Sequence, residues 1–572
     1  MKKLGFNRTD SQMAVEPQVS GRDPGAVPAY HPPPSASRRR YLSTLPEPGG
    51  IITMARPLLS LLVLTSLVDA AAQTPVPPPD LDRYVTQVME TFEVPGIGLA
   101  IVKDGRVVVA KGYGVRQLGL PTPVDAHTLF GIASNTKVFT ATALGLLVEE
   151  GKIEWDAPVI RYLPSFRMSD PYVTSQMTVR DLLVHRSGLG LGAGDLLWWP
   201  ASDYDRNEII RRLQFIPLAT SFRSAYAYDN VLYGVAGAVV EAVSGQSWED
   251  FVATRILRAV GMSESSVRHS AAAGGGNVAT PHARIDGVVK PVAPFASDNV
   301  NPAGGINSSA TDMAKWVIVQ LDSGQVAGGP RLFRPSLTGQ IQAIVTPIPI
   351  RPPPPELARF RPNFSGYGLG EDIQDYRGHK LVSHTGGLPG FVSRVAMIPD
   401  QRLGVVVLTN QESGAAFDAI TNRILDHYLG APAFDWLGAL KTVSARGDSA
   451  LAAFERRTQA GRDPNGRPSL PLGRYAGTYQ DRWYGDVTIA EENGKLVIRF
   501  SHTPALSGEL EHWQYDTFIA RWRDRELRAD AYVTFALDPD GSIDQVKLRA
   551  VSPAADFSFD FQDLLLRPKR SR

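Results

Sequence analysis

Hydrophobic and polar positions follow two rhythms along most of the chain, a helical one and an alternating one. A helix is expected over 81–92, followed by β-rich runs at 98–102 and 106–110 that Asp104-Gly105 joins as a hairpin. After Ser134 the apolar positions Val138, Ala141, Leu144 and Val148 keep helical spacing until Gly151 ends the pattern. A second helical stretch, 230–243, is rich in Val, Ala and Gly and stops at Gly245. Ser309-Ala310-Thr311-Asp312 reads as a capping box that opens a third. Residues 346–355 (TPIPIRPPPP) are expected to form an extended loop, because proline continues neither a helix nor a sheet interior. Strand-like runs recur at 380–384, 391–398 and 403–409, with helical patterns at 415–428 and 436–460. GRDPNGRPSLP (461–471) has linker composition. Beyond it, short β runs at 477–479, 487–490, 496–500, 518–522, 532–537 and 545–550 alternate with turns such as Asn493-Gly494 and Asp540-Gly541.

These rhythms divide the mature chain into an α/β domain (80–430), a helical linker (431–471) and a smaller all-β barrel or sandwich (472–566). Upstream, residues 1–53 are polar and Pro/Ser-rich, a disordered or non-native extension. Residues 54–72 combine Met54-Ala55-Arg56, a short apolar run and Ala70-Ala71-Ala72, the parts of a secretory signal peptide. The expectation is translation from Met54, cleavage before Gln73, and a periplasmic or secreted product with no stable membrane span. An uncleaved anchor behind a cytoplasmic arm is the alternative.

Composition narrows the chemistry. With 59 Lys+Arg against 58 Asp+Glu the net charge is +1, which gives no basic footprint for nucleic acid. The absence of cysteine excludes disulfides, thiolate metal sites and a cysteine nucleophile. No His is followed by Glu, neither Gly-Lys pair precedes Ser or Thr, and no serine lies in G-x-S-x-G. There is therefore no H-E-x-x-H zinc helix and no P-loop, and the sequence argues against an α/β-hydrolase elbow.

What remains is Ser134-Asn135-Thr136-Lys137, the only S-x-x-K in the chain, at the start of an expected helix. The i, i+3 spacing puts serine and lysine on one face, and a helix N-terminus favours developing negative charge. A serine hydroxyl needs a neighbouring base, which a desolvated lysine can supply. Taken alone, the motif also reads as a cap with a solvated lysine. Downstream, Tyr228-Asp229-Asn230 precedes the small-residue helix, where it also reads as a cap with a packing tyrosine. His384-Thr385-Gly386-Gly387 closes a strand-like run, where paired glycines let a carbonyl approach backbone N–H groups. Its bland reading is a strand ending in a tight turn.

In this order the three motifs resemble the serine β-lactamase and penicillin-binding-protein superfamily, which carries S-x-x-K, S-D-N and K-T-G. Tyr-x-Asn in the middle resembles the class C branch with its esterases and D-amino-acid peptidases. TVRDLLVHRSGL (178–189), NPAGGINSSATDMAKW (301–316) and the stretch from YGLG to MIPD (367–400) resemble that branch too. The resemblance implies a β-lactamase/transpeptidase-like α/β domain, an antiparallel sheet flanked by helices plus an all-helical lobe. The β module resembles the lipocalin-like C-terminal domains of some of these hydrolases.

It further implies Ser134 as the acylated nucleophile, Lys137 as its activator and Tyr228 as the partner acid/base. Asn230 would hold Lys137 and the substrate amide, and His384, Thr385, Gly386 and Gly387 would line the opposite strand. The N–H groups of Ser134 and Gly387 would form the oxyanion hole, where losing one donor costs about 3 kcal/mol in known hydrolases. No metal or organic cofactor is implied, and the partner is a small-molecule or short-peptide substrate. His384 stands where β-lactamases usually carry Lys; a mostly neutral imidazole is a weaker partner for a substrate carboxylate than an ammonium. A peptidase or amidase therefore leads, with carboxylesterase and β-lactamase as alternatives and a non-catalytic binding or scaffold protein as the rival. Trp198-Trp199 is compatible with a pocket wall, a lid or core, and His185 with a structural task. The Pro-rich loop is compatible with a gate or an inert surface loop. Oligomeric state stays open.

Overall fold

The computed structural model describes residues 76–569; the extension at 1–53 and the signal-like segment at 54–72 lie outside the described residues. Eight strands form one antiparallel sheet. In chain order they are β1 (Gly96–Lys103), β2 (Arg106–Gly114), β3 (Thr346–Pro347), β4 (Ser365–Tyr367), β5 (Asp372–Tyr376), β6 (His379–Leu388), β7 (Phe391–Ile398) and β8 (Leu403–Thr409). Across the sheet the order is β2-β1-β8-β7-β6-β5-β4-β3.

The central strands β7 and β8 are buried at every position, so both faces of the sheet must be covered. The six helices of twelve or more residues are α1 (Leu81–Phe92), α2 (Lys137–Glu149), α3 (Val231–Ser244), α4 (Ala310–Leu321), α5 (Gly414–Tyr428) and α6 (Trp436–Ala460). On one face Val405 and Val407 join Val85 and Val88 of α1, Phe417 and Ile420 of α5, and Trp436 and Leu440 of α6. On the other, Val406 and Leu408 join Met313 and Val317 of α4 in a core that continues into the helical lobe around α2 and α3. Helix α2 is apolar nearly all round, the pattern of a helix packed on every side.

The C-terminal module is a second eight-stranded antiparallel sheet curled into a nearly closed barrel. Its strands are β9 (Gly477–Asp481), β10 (Gly485–Glu492), β11 (Lys495–Phe500), β12 (Ser507–Gln514), β13 (Thr517–Trp522), β14 (Ala531–Leu537), β15 (Ile543–Ala550) and β16 (Arg567–Pro568). The final strand pairs with β9, and a bridge between Val546 and Leu566 brings the last hairpin strand round to it. The interior is filled by aromatics, among them Phe500, Trp522, Phe535 and Phe561. Arg212 of the lobe donates to the carbonyls of Trp483 (2.7 Å) and Tyr484 (3.0 Å), and Tyr204 stacks on His502 at 4.0 Å.

Several elements differ from the sequence expectation. Strand β6 does not end at His384 but runs through Leu388, because Thr385, Gly386 and Gly387 pair with Arg394, Ser393 and Val392. The turn is the next pair, Pro389-Gly390. Ser309 caps α4 by accepting from Asp312 N–H at 3.2 Å, but the Asp312 carboxylate does not reach back. It binds instead the N–H groups of Glu264 and Ser265, so only half of the capping box forms. Thr346–Pro347 opens the Pro-rich segment as an edge strand, where proline is tolerated. Strands β4, β5 and β12 had no expectation; β12 (SGELEHWQ) buries Gly508, Leu510 and Trp513 across a bulge that blurs its alternation.

Candidate active site

Ser134 does not open an α-helix directly. It sits in a 3₁₀ turn, Ala133–Thr136, that leads into α2 at Lys137. A 3₁₀ turn eclipses residues i and i+3, which sets the two side chains one above the other. Lys137 Nζ donates to Ser134 Oγ at 3.0 Å. Ala133, just before the serine, holds φ of 49°, a conformation that costs a non-glycine residue roughly 1–3 kcal/mol and must be held by its surroundings. Asn135 Nδ2 donates to Ser393 Oγ and Ser393 Oγ donates to the Ile132 carbonyl, both at 2.8 Å, tying the turn to β7. Ile132 N–H donates to the Ile306 carbonyl at 3.0 Å, and Ile306 N–H to Thr136 Oγ1 at 3.2 Å.

Tyr228 and Asn230 arrive from the segment that enters α3. The Tyr228 hydroxyl donates to Ser134 Oγ at 2.9 Å, so the serine oxygen lies between a phenol and an amine. Lys137 is fully buried; its other donors reach Asn230 Oδ1 (2.8 Å) and the Ala303 carbonyl (2.9 Å). The Tyr228 and Tyr233 rings lie 4.8 and 5.0 Å from Nζ. Asn230 Nδ2 in turn donates to Asp195 Oδ2 at 2.8 Å, which fixes the amide so that its oxygen faces the lysine.

Asp195 was not singled out by the sequence, and its partners come from two modules. Trp198 Nε1 donates to Oδ1 at 2.9 Å, and Ser558, in the segment after β15, donates to Oδ2 at 2.8 Å. Burial pushes the Asp195 carboxyl up to about 7, against the pull of these hydrogen bonds. Asp560 lies two residues further on and accepts from the N–H groups of Gly194 (2.7 Å) and Leu196 (3.0 Å). Burial, with Asp563 and Asp195 nearby, raises its carboxyl well above the ordinary range. Asp229 is likewise raised to about 7 by burial, offset partly by Ser187 and the charge of Lys137.

On the opposite wall, β6 presents Thr385 and Gly387 half-buried and turns His384 and Gly386 inward. A Cβ on Gly386 would lie 2.1 Å from the Ile132 carbonyl oxygen and 2.5 Å from Ser393 Oγ, so glycine is what lets the strand meet the nucleophile turn. His384 is engaged with protein through both ring nitrogens. Nδ1 donates to the Thr385 carbonyl at 2.6 Å, and Nε2 pairs with the Tyr367 hydroxyl at 2.8 Å. These contacts hold the imidazole against Tyr367 and the strand. His185 packs its ring 4.2 Å from that of Tyr228 and accepts from Asp229 N–H at 3.1 Å, a structural task.

Both tryptophans belong to the core; Trp198 serves Asp195, and Trp199 stacks on Phe295 at 4.9 Å. Trp199 also walls a cleft of about 550 Å³ that Leu388 and Pro389 share with Leu527 and Phe559 of the barrel. The Pro-rich loop does not gate the serine. Ile348 and Pro352 line a separate cavity of about 760 Å³ with Trp436 and Arg394, on the sheet face opposite to Ser393. Among the described residues no cluster of three or more His, Asp or Glu side chains could hold a metal ion. No helix of the described residues is long and apolar enough to cross a membrane.

A serine flanked by a lysine and a tyrosine, where an antiparallel α/β sheet meets a helical lobe, defines a class that includes the serine β-lactamases and penicillin-binding proteins. The chain belongs to the β-lactamase family, whose model, described as Beta-lactamase, matches residues 81–429. Residues 461–568 match a second model, described as a domain of unknown function (DUF3471). Among similar proteins, the unguisins hydrolase ungD of Aspergillus violaceofuscus is 29% identical over 81% of this chain and 86% of its own. The unguisins hydrolase ungD' of Aspergillus campestris is 30% identical over 81% of this chain and 88% of its own. Among solved structures, the octameric penicillin-binding protein homologue from Pyrococcus abyssi covers 85% of this chain and 99% of its own, with a TM-score of 0.54 and 23% identity. Its likeness is one of fold.

Proposed function

We propose that the chain is an exported serine hydrolase that forms an acyl-enzyme on Ser134 and cleaves amide bonds of small, peptide-like substrates. The observation that carries this reading is the buried hydroxyl of Ser134 held between Lys137 Nζ and the Tyr228 hydroxyl. Acylation starts from the form in which the Lys137–Tyr228 pair has given up one proton; the pair then takes the Ser134 proton while Oγ bonds to the substrate carbonyl carbon. The carbonyl oxygen takes up negative charge in the hole formed by the Ser134 and Gly387 N–H groups. Collapse of the tetrahedral intermediate breaks the C–N bond, and the leaving amine takes its proton back from Tyr228. Water then attacks the ester by the same path, giving up its proton to the pair and freeing Ser134.

Two relatives named as unguisins hydrolases, each matching four fifths of the chain, support a hydrolase and make unguisins a first substrate to test. His384, occupied by Thr385 and Tyr367, supports a substrate without a carboxylate at that position. Export rests on the pattern at 54–72, and N-terminal sequencing of the exported protein should begin at Gln73; a start at Met1 overturns that part.

The reading is tested by intact-protein mass after exposure to a fluorophosphonate. One adduct is expected on the wild type and none on Ser134→Ala. Equal adducts on both, or none on folded wild type, overturn it. Rates on esters, D- and L-aminoacyl amides, unguisins and a cephalosporin then separate amidase from esterase and β-lactamase.

A further inference from the structure

The barrel reaches the catalytic lobe at one place that matters chemically. The segment between β15 and β16 leaves the barrel wall and lays Phe557, Ser558 and Asp560 against the short 3₁₀ turn Asp195–Leu197 and its approach. Phe557 meets the Tyr228 ring edge-on, with centroids 6.0 Å apart. Gly192 makes room for it, since a Cβ there would lie 2.8 Å from the Phe557 ring and from its carbonyl oxygen. Ser558 binds the Asp195 carboxylate, and Asp560 takes the N–H groups on either side of Asp195, at Gly194 and Leu196. Asp195, Ser558 and Asp560 are all buried.

A continuous chain of hydrogen bonds follows: Ser558 to Asp195, Asp195 to Asn230, Asn230 to Lys137, Lys137 to Ser134. Each link constrains the next. Asp195 Oδ2 accepts from both Ser558 and Asn230, so it serves the chain as an acceptor only while that oxygen carries no proton. Donation from Ser558 favours that form. With Oδ2 accepting, the Asn230 amide has one orientation and presents Oδ1 to Lys137. Without it the amide is free to turn, and the ammonium loses one of its three acceptors in a site where it is fully buried.

We infer that Ser558 of the barrel is a positioning residue for the Ser134–Lys137 pair, acting through Asp195 and Asn230, so that the catalytic lobe is complete only with the barrel docked on it. The inference rests on Ser134 being the nucleophile.

The test is a double-mutant cycle on the full chain, read by the saturation kinetics of fluorophosphonate labelling at Ser134. Ser558→Ala should lower the maximal labelling rate about tenfold, the scale of one hydrogen bond to a charged group, and leave the half-saturating concentration unchanged. In an Asp195→Ala background the same substitution should cost nothing further, because the acceptor it acts through is gone. Thermal unfolding of all four proteins identifies folded samples. Equal maximal rates for wild type and Ser558→Ala overturn the inference alone. So does an equal fold-loss in both backgrounds, which is what a general loosening of the interface would give. Absence of labelling on the wild type overturns the proposed function and this inference with it.

Discussion

Glu371 illustrates how one residue near the site couples stability to pH. Its turn lies against the backbone of Lys137, where a Cβ on Gly370 would sit 3.0 Å from the Lys137 carbonyl. The side chain is 2% exposed and Oε2 has no hydrogen-bond partner among the described residues. Burial, reinforced by the neighbouring Asp372 charge, raises the carboxyl from 4.5 to about 8. Between those values the native state holds a proton that the unfolded chain releases. Stability from this group is therefore complete below pH 4.5 and lost progressively as pH rises through 8. The span corresponds to on the order of 3–5 kcal/mol. Thermal midpoints should fall from pH 5 to pH 9 in the wild type and fall less in Glu371→Gln; parallel curves would sink the assignment. At this scale the sequence was legible where chemistry needs a residue type at fixed spacing. Ser134 and Lys137 three residues apart, and Tyr228 two before Asn230, meet through two hydrogen bonds to one oxygen and one to the amide. Asp195 and Ser558 were not legible, because each is an ordinary polar residue in a loop and their meeting spans 363 positions of chain.

At the scale of elements, what was readable is what local periodicity encodes. The long helices α2, α3, α5 and α6 and the buried strands β7 and β8 start and stop within a few residues of the expected limits. Gly245 closes α3 with φ of 73°, and the Asp104-Gly105 and Asn493-Gly494 turns join β1 to β2 and β10 to β11. The misreadings share a cause. Strand β6 continues through two glycines, which weaken a strand by local propensity; pairing with β7 and the closeness of Ile132 override that propensity. The serine's 3₁₀ turn is likewise set from outside, by Ser393 and Ile306, and no local signal separates it from the first turn of α2. Strand β12 lost its alternation to a bulge at His512 to Gln514. In each case a distant partner decides the local conformation.

Across the whole molecule the lobe and the barrel behave as parts of one body. Tyr484, Trp483 and Phe559 of the barrel belong to the same continuous apolar cluster as Trp198, Trp199 and Tyr204 of the lobe. The polar seam around it is buried at Ser558 and Asp560 and half-buried at Arg212 and Arg528. Arg212 is bound to two barrel carbonyls, Arg528 pairs with Glu412, and Ser558 and Asp560 hold the Asp195 turn. Separating the modules would expose aromatic surface and leave Asp195 and the N–H groups of Gly194 and Leu196 without their barrel partners, each such loss costing about 1–3 kcal/mol. Neither module then has a stable state apart from the other at the temperature where the first begins to melt. Calorimetry should accordingly give a single transition whose calorimetric and van't Hoff enthalpies agree. Arg212→Ala should move that transition down as a whole, since it removes donors to Trp483 and Tyr484 without touching Ser134 or its neighbours. Two resolved transitions in the wild type, or a barrel that melts early in Arg212→Ala while the lobe melts where it did, would mean that the seam joins the modules without coupling them.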